Sequence, residues 1–238
     1  QHINGFQNSR ALAILHAITG NYDVPGAWCT NRFMRLTDLR LPVEEEPIGA
    51  DQHPMFRRFW DMEAPYGQQM LLPDAILDEK PYPIKAMMVS GGNPAASWPN
   101  SQKIKKAFEK LDLIVVMDLF MTETAKLADI VLPASSSLEK LGLAYNYGLT
   151  GGMPFVMLSR KIIEPIGESQ ADWKFYSELG RRMGYGEFFP WNTDEEVVEH
   201  FLRASKITLK ELEEHPEGIW FGERCYDITA KNQIRTPF

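Results

Sequence analysis

Short apolar runs separated by turn residues dominate the middle of the chain. Residues 85–89 form one such run, and residues 113–117 form a second that is rich in β-branched side chains. The second pattern is typical of a parallel strand that is buried on both faces. After the first run, two glycines allow positive φ angles and Pro94 disfavours helical geometry at Asn93, so a sharp turn is predicted over residues 90–94.

The residues that follow this turn have helical spacing. Asn100 or Ser101 can cap a helix that runs to residue 111, and its apolar face is expected to consist of Ile104, Ala107, Phe108 and Leu111. Strand, helix and strand together predict a βαβ unit. A short helix capped by Thr122 and a third strand over residues 129–133 are predicted to follow.

The N-terminal part of the chain predicts two more helices. Asn8 or Ser9 is expected to cap the first, which ends before Gly20 and has an apolar face formed by Ala11, Leu12, Leu15 and Ile18. Pro73 is expected in the first turn of a short helix over residues 74–78, because its fixed φ suits that position.

Further helices are predicted towards the C-terminus. Ser169 is expected to cap a helix that ends near residue 183, with an apolar face formed by Trp173, Tyr176, Leu179 and Met183. Two more helices are predicted over residues 193–205 and 208–214, each beginning at a threonine. The chain from residue 216 onward is predicted as a loop.

Two stretches lack a regular pattern. Residues 27–72 combine prolines, an acidic triplet and aromatic side chains, and a loop of this length is uncommon inside a compact domain. We therefore expect part of it to pack on a neighbouring part of a larger protein. The alternative is that its aromatic side chains fold back onto the domain's own sheet and complete the core. The glycines between residues 142 and 152 predict a flexible connection, and residues 155–163 predict an extended segment.

Together these elements predict an α/β protein. The expected architecture is a parallel-sheet, Rossmann-like three-layer domain with additional C-terminal helices. We expect an N-terminal helix and loop-rich segment over residues 1–72, a nucleotide-binding α/β core over residues 73–165, and a helical extension of the same domain over residues 166–238.

Composition excludes some classes of function. The 238 residues carry a net charge of −7 with no basic stripe, which argues against a nucleic-acid surface. No apolar run reaches about 18 residues, so no direct membrane span is predicted. The first residues lack the basic start and apolar core of a signal peptide. Because no initiating methionine is present, we expect the chain to be part of a longer protein.

Few residues have the spacing of a catalytic or metal site. Cys29 and Cys225 are far apart, which favours buried free thiols over a disulfide. Residues 135–137 predict a polar loop rather than the nucleophile turn of a hydrolase. Glu123 is a candidate catalytic acid, but complementing a helix dipole is the preferred interpretation. The scattered histidines predict no metal site; they are His2, His16, His53, His200 and His215.

The turn at residues 91–94 is a stronger candidate for ligand binding than these residues. Peptide N–H groups and the Asn93 amide converge there at a strand end, an arrangement that suits a pyrophosphate or a nucleotide sugar. Asp118 ends the next strand and can accept two hydrogen bonds, from a ribose diol or from guanine. Ligands of open parallel sheets bind at such strand ends. The two features predict a dinucleotide-like ligand, and a purely structural glycine turn is the alternative.

Several segments resemble one known family, the molybdopterin oxidoreductases related to dimethyl sulfoxide reductase. Residues 118–125, Asp-Leu-Phe-Met-Thr-Glu-Thr-Ala, and residues 128–134, Ala-Asp-Ile-Val-Leu-Pro-Ala, are similar to its most characteristic run. Residues 91–94, Gly-Gly-Asn-Pro, resemble its Gly-x-Asn-Pro turn. Residues 15–26 and 164–184 resemble further segments, so the resemblance covers most of the chain.

The resemblance implies the catalytic subunit of a molybdenum or tungsten oxidoreductase with a bis(molybdopterin guanine dinucleotide) cofactor. Such an enzyme carries out two-electron redox or oxygen-atom transfer, often in anaerobic respiration. The chain itself is expected to provide no catalytic residue and no metal ligand. It is expected to hold the guanine dinucleotide end of one pterin through Gly91, Gly92, Asn93, Pro94, Asp118, Phe120, Thr122, Glu123, Thr124 and Asp129.

The resemblance also implies partners. Family members carry an N-terminal domain with an iron–sulfur cluster, a residue that ligates the metal, and a closing β-barrel, none of which is expected in this chain. The expected partners are those remaining domains and an iron–sulfur electron-transfer subunit. Residues 145–150 depart from the family's Glu-Gly-Arg sequence, so contacts of that arginine are not carried over.

Several questions stay open at this point. The substrate is not implied, and neither is the compartment, periplasm or cytoplasm of a prokaryote. The alternative function is a stand-alone nucleotide-binding or protein-interaction module without catalytic activity.

Overall fold

The computed structural model describes residues 4–21, 27, 34, 36–37, 69–145 and 155–221. It divides the chain into two compact units that are interleaved along the sequence. One, here the parallel unit, comprises Leu39–Lys140 and Ile162–Pro190. The other, the antiparallel unit, comprises Gln1–Asp38, Leu141–Lys161 and Trp191–Phe238. The sequence predicts three consecutive parts of one domain instead, because local patterns do not show which distant segments pack together.

The described elements alternate between helix and strand in the middle of the chain. In order they are α1 (Gly5–Ile18), α2 (Leu72–Asp78), β1 (Ala86–Ser90), α3 (Pro94–Ser97), α4 (Ser101–Phe108), β2 (Leu113–Asp118), β3 (Ile130–Pro133), β4 (Gly142–Tyr145), β5 (Phe155–Ser159), α5 (Asp172–Arg182), α6 (Asp194–Leu202), α7 (Leu209–Glu214) and β6 (Ile219–Trp220). Short 3₁₀ turns lie at Gln69–Leu71, Ala125–Leu127 and Gly186–Phe188.

The parallel unit contains a parallel sheet whose described strands lie in the order β1-β2-β3. Val89 pairs with Val116, and Val116 pairs with Val131. Asn100 caps α4 as predicted: its side chain accepts the N–H of Lys103 at 3.2 Å. The α/β class with a parallel sheet is therefore confirmed.

The core of the parallel unit lies between the sheet and its helices. It is a cluster of buried apolar side chains, which are Ile76, Val89, Ile104, Ala107, Phe108, Ile114, Val116 and Ala125. Leu111 is partly buried and packs against this cluster. Burial of apolar surface contributes about 25 cal/mol for each Å² removed from water, so this cluster holds α2 and α4 against the sheet.

Two predictions for α5 are wrong. Ser169 does not cap the helix, which begins at Asp172, because the Ser169 hydroxyl donates to Glu139 instead. The buried face consists of the small residues Ser177 and Gly180, whereas Tyr176, Leu179 and Met183 are exposed. The Phe189 ring packs so closely over Gly180 that a Cβ there would lie 2.5 Å from it, and this approach selects the small-residue face.

The antiparallel unit contains a sheet that the sequence did not predict. Its described strands lie in the order β4-β5-β6, and both pairings are antiparallel. The predicted flexible connection after residue 142 and the predicted loop after residue 216 are wrong at β4 and β6. Strand pairing overrides the local pattern, since Leu143 lies opposite Leu158 and Val156 lies opposite Ile219.

The last two helices are confirmed, and both are capped as predicted. Thr193 accepts the N–H of Glu196 at the start of α6. Thr208 and Glu211 form a capping box at the start of α7, in which each side chain bonds the other residue's backbone N–H. Apolar residues of both helices pack with β5 in the core of this unit: Val156, Leu158, Val198, Leu202, Leu209 and Leu212.

Helix α1 begins earlier than predicted. The N–H of Asn8 donates to the carbonyl of Asn4, so Asn8 already lies within the helix rather than capping it. Its predicted apolar face is exposed: Leu12, Leu15 and Ile18 are each more than half exposed.

Most of residues 27–72 lies outside the described residues, including Phe33, Phe56, Phe59 and Trp60, so packing on a neighbour stays a prediction. Met34 is described, and it is buried in the core of the antiparallel unit. Across the described ranges, no helix has the length and apolar character needed to cross a bilayer.

Candidate functional site

The chain turns sharply at the carboxyl end of β1, as predicted. Gly91 has a φ of +58°, which disfavours any residue with a Cβ, and its N–H donates to the carbonyl of Met117 at 2.9 Å. The carbonyl of Asn93 accepts the N–H groups of Ala96 and Ser97, which starts α3 at Pro94. Within the part of the chain that the structure describes, the N–H groups of Gly92 and Asn93 have no acceptor. The turn therefore presents two peptide donors that have no partner among the described residues.

A second loop leaves the sheet at the carboxyl end of β2. Asp118 Oδ1 accepts the N–H of Phe120 at 3.1 Å, and Oδ2 has no partner among the described residues. Leu119, Phe120 and Met121 follow and are 53%, 75% and 60% exposed. Three consecutive exposed apolar residues are costly for a loop in water. This loop offers a carboxylate oxygen and an uncovered aromatic ring next to each other.

Thr122, predicted to cap a short helix, lies two residues before Thr124, which directly precedes the 3₁₀ turn Ala125–Leu127. The Thr122 hydroxyl oxygen accepts the N–H of Ala125 at 3.1 Å, and the Thr122 carbonyl accepts the N–H of Lys126 at 3.0 Å. These bonds begin the 3₁₀ turn Ala125–Leu127. The predicted short helix is therefore present as a single turn.

The two loops are joined directly by side chains. Asn93 Oδ1 accepts the N–H and the hydroxyl of Thr124, at 3.1 Å and 2.8 Å, and Asn93 Nδ2 donates to Glu123 at 2.9 Å. The Thr124 oxygen also accepts the N–H of Ala95 at 3.0 Å. The structure thus brings together most of the residues predicted for the site: Gly91, Gly92, Asn93, Pro94, Asp118, Phe120, Thr122, Glu123 and Thr124.

Glu123 is poorly suited to act as a general acid. The hydrogen bond from the Asn93 amide, then that from its own N–H and the charge of Lys126, lower the pKa of Glu123 below its ordinary value. Its carboxyl group is therefore ionised at neutral pH and has no proton to give.

Asp129 lies away from the other predicted site residues. It precedes β3, and its Oδ2 accepts the N–H of Ile114 at the start of β2, at 2.7 Å. Asp129 and Ile114 lie at the amino ends of the strands, whereas Gly91 and Asp118 are at the carboxyl ends. Asp129 fixes the pairing of β2 and β3 from the far end of the sheet.

Two further polar groups near this edge were not among the predicted site residues. Asp172 accepts the hydroxyl of Ser90 at 3.1 Å and the Lys140 ammonium at 2.6 Å. Burial would raise the pKa of Asp172, but the hydrogen bond and charge of Lys140 outweigh it, so this pKa is lowered. Ser90 directly precedes Gly91, so this pair borders the glycine turn. Lone lysine and aspartate residues 32 positions apart give no local pattern that would reveal the pair.

The groups at this edge suit the binding of a ligand. Among the described residues, no group of three or more histidine, cysteine, aspartate or glutamate side chains could hold a metal ion. The edge supplies peptide N–H donors, one carboxylate oxygen that can accept, and an exposed ring. These groups match phosphates, a hydroxyl or amine donor, and a flat heterocycle, respectively.

Comparisons with known proteins match this chain to one family. Residues 1–182 match the family model described as molybdopterin oxidoreductase. The F420-dependent formate dehydrogenase subunit alpha of Methanocaldococcus jannaschii is 35% identical over 89% of this chain and 32% of its own length. The assimilatory nitrate reductase catalytic subunit of Bacillus subtilis is 37% identical over 58% of this chain and 18% of its own length.

A solved structure agrees with these matches. The acetylene hydratase from Pelobacter acetylenicus is 34% identical and superposes with a TM-score of 0.56, covering 64% of this chain and 20% of that protein. The chain therefore spans at most about a third of the length of the relatives compared here.

Proposed function

The chain belongs to the molybdopterin oxidoreductase family, and on that basis we propose that it holds the guanine dinucleotide end of a molybdopterin cofactor. One observation carries the proposal. A turn with peptide N–H donors, which suit phosphates, and a loop with a carboxylate and an exposed ring, which suit a base, lie at the same edge of the sheet. When bound, a molybdenum or tungsten pterin supplies two-electron redox chemistry, including oxygen-atom transfer. The residues of this chain bind and orient the nucleotide.

The phosphates are assigned to the turn after β1. The N–H groups of Gly92 and Asn93 have no acceptor among the described residues, and two adjacent peptide donors are a common way to hold phosphate oxygens. The absence of side chains at Gly91 and Gly92 lets the ligand approach the backbone. Pro94 closes the turn by starting α3.

The guanosine is assigned to the loop after β2. Asp118 Oδ2 can accept from the N1–H or exocyclic amine of guanine, or from a ribose hydroxyl. The ring of Phe120 is 75% exposed and can stack on the base. Thr122, Glu123 and Thr124 shape this loop, and Asp129 supports it by fixing β2 against β3 from the opposite end.

The whole protein is proposed to be the catalytic subunit of a molybdenum or tungsten oxidoreductase. Relatives are named formate dehydrogenase subunit alpha and nitrate reductase catalytic subunit. The proposed partners are the remaining domains of the subunit, one of them with an iron–sulfur cluster, and an iron–sulfur electron-transfer subunit.

A matched pair of aspartates tests this proposal. Asp118 and Asp112 stand at opposite ends of β2, and Asp112 forms an exposed ion pair with Lys85. Isothermal titration of the 238-residue chain with GDP and with ADP should show a preference for GDP. Asp118→Ala should weaken GDP binding about tenfold or more, since an unpaired donor costs roughly 1–3 kcal/mol, and should abolish the preference.

Asp112→Ala is the control and should leave both affinities unchanged. Equal affinity of Asp118→Ala and the wild type for GDP would contradict the assignment. Equal affinity of the wild type for GDP and ADP would favour a general nucleotide-binding module.

A further inference from the structure

A hydrogen-bonded bridge between Asn93 and Thr124 spans the two loops at the carboxyl edge. Asn93 Oδ1 accepts both the N–H and the hydroxyl of Thr124, and the Thr124 oxygen accepts the N–H of Ala95. The residues it joins are 31 positions apart in the chain. One side of the bridge is thus built into the turn after β1, and the other into the loop after β2.

The polar side-chain groups of Asn93 and Thr124 are all engaged in hydrogen bonds within the protein. Thr124 has no exposed surface, so its hydroxyl cannot reach a ligand. Both lone pairs of Asn93 Oδ1 are occupied by Thr124, and Nδ2 already donates to Glu123. Direct contact with a nucleotide is therefore left to the peptide groups of the turn and to Asp118 and Phe120.

We infer that the side chains of Asn93 and Thr124 have a positioning role, in which they hold the phosphate-binding turn and the base-binding loop at a fixed separation without themselves touching the nucleotide. This inference rests on the proposed function and deepens it. A ligand that spans both loops gains from a separation that is set before binding, because no ordering of the loops is then needed. A ligand that contacts only the turn gains nothing from it.

A bridge that served stability alone would behave differently from a positioning bridge. A general loss of local order at this edge would weaken every ligand that binds there to the same degree. Loss of positioning weakens only ligands long enough to contact both loops. The comparison of a long ligand with a short one therefore separates the two roles.

The test compares two substitutions of Thr124 in the 238-residue chain, titrated with GDP and with inorganic pyrophosphate. Thr124→Val keeps the shape but loses the hydroxyl, and it should weaken GDP binding about tenfold, the usual effect of one lost buried hydrogen bond. Pyrophosphate affinity should stay within about twofold. Thr124→Ser keeps the hydroxyl and should bind both ligands as the wild type does.

Thr208→Val is the matched control. It removes a threonine hydroxyl that caps α7 in the antiparallel unit, so it costs stability without touching either loop. Its affinities for GDP and pyrophosphate should equal those of the wild type. Equal weakening of both ligands by Thr124→Val, or no weakening of either, would overturn the inference.

Amide hydrogen exchange without ligand provides a second, independent measurement. The N–H of Gly91 reports on the turn, and the N–H of Phe120 reports on the loop. Exchange at both should rise in Thr124→Val and not in Thr124→Ser. A rise at only one of them, or at neither, overturns the inference. If the wild type fails to bind GDP, the proposed function is wrong. The exchange measurement then tests by itself whether the bridge orders both loops.

Discussion

At the scale of single residues, Glu139 shows how one buried carboxylate connects two segments of the parallel unit, residues 136–139 and residues 166–169. Its Oε2 accepts the N–H of Ser136 at 2.7 Å, and its Oε1 accepts the N–H of Ile166 at 2.7 Å and the hydroxyl of Ser169 at 3.0 Å. These bonds favour the ionised form, the one to Ile166 most, and lower the pKa of Glu139 from 4.5 to about 2.

This environment predicts an acid-dependent loss of stability. Between pH 4.5 and about 2 the unfolded chain binds a proton at Glu139 that the folded chain does not. The contribution of Glu139 to the free energy of unfolding should therefore be fully present above pH 4.5. It should be lost as the pH falls towards 2. Urea unfolding at a series of pH values measures this dependence.

Glu139→Gln should be less stable than the wild type at neutral pH and should show a weaker dependence on pH across this range. Glu109→Gln changes an exposed glutamate that follows α4, and it should keep the dependence of the wild type. If Glu139→Gln and the wild type lost stability in parallel on acidification, the role assigned to this carboxylate would be wrong.

At the scale of elements, the sequence predicts those whose residues determine their own conformation. β1, β2 and β3 are apolar runs bounded by turn residues, and Asn100, Thr193 and Thr208 cap helices with their own side chains. β4 and β6 are not predictable in this way. Each is short, and each is a strand only because β5 pairs with it.

The candidate site likewise has some features that are local in the sequence and others that are not. The turn after β1 and Asp118 are visible in the sequence because glycines and a strand-ending carboxylate are local features. The Asn93–Thr124 bridge and the Lys140–Asp172 pair are not visible, because they depend on which loops meet in space. The buried face of α5 was missed because an external ring, Phe189, rather than helical periodicity selects it.

The close packing of Phe189 on α5 gives a prediction at this scale. Gly180→Ala gains about 1 kcal/mol of helix propensity, but the new Cβ would lie 2.5 Å from the ring. We expect a net loss of roughly 1–3 kcal/mol, the usual cost of overpacking, measured by urea unfolding. Gly5→Ala is the control, because a Cβ added at this helical glycine would meet no atom within 4 Å. This substitution should not destabilise the chain.

A second substitution identifies the cause of that loss. In a Phe189→Leu background, where the ring is gone, Gly180→Ala should cost less than it does in the wild type. The same cost in both backgrounds would show that the Phe189 ring is not what requires glycine at this position.

At the scale of the whole molecule, the chain is one part of a molybdopterin oxidoreductase architecture and spans 32% of the formate dehydrogenase subunit it resembles. Its parallel unit brings a donor-rich turn and a carboxylate-bearing loop to one edge of the sheet. We propose that this edge holds a single guanine nucleotide with both loops at once.

The most direct test is to map the GDP-binding surface by amide chemical shifts on the isotope-labelled 238-residue chain. Addition of GDP should shift the amides of residues 91–93 and those of residues 118–120 together, with one common dissociation constant. The amides of Asp112, Ile114 and Asp129, at the amino ends of the same strands, should stay unchanged. Shifts at the amino ends, or shifts in only one of the two loops, would contradict the account.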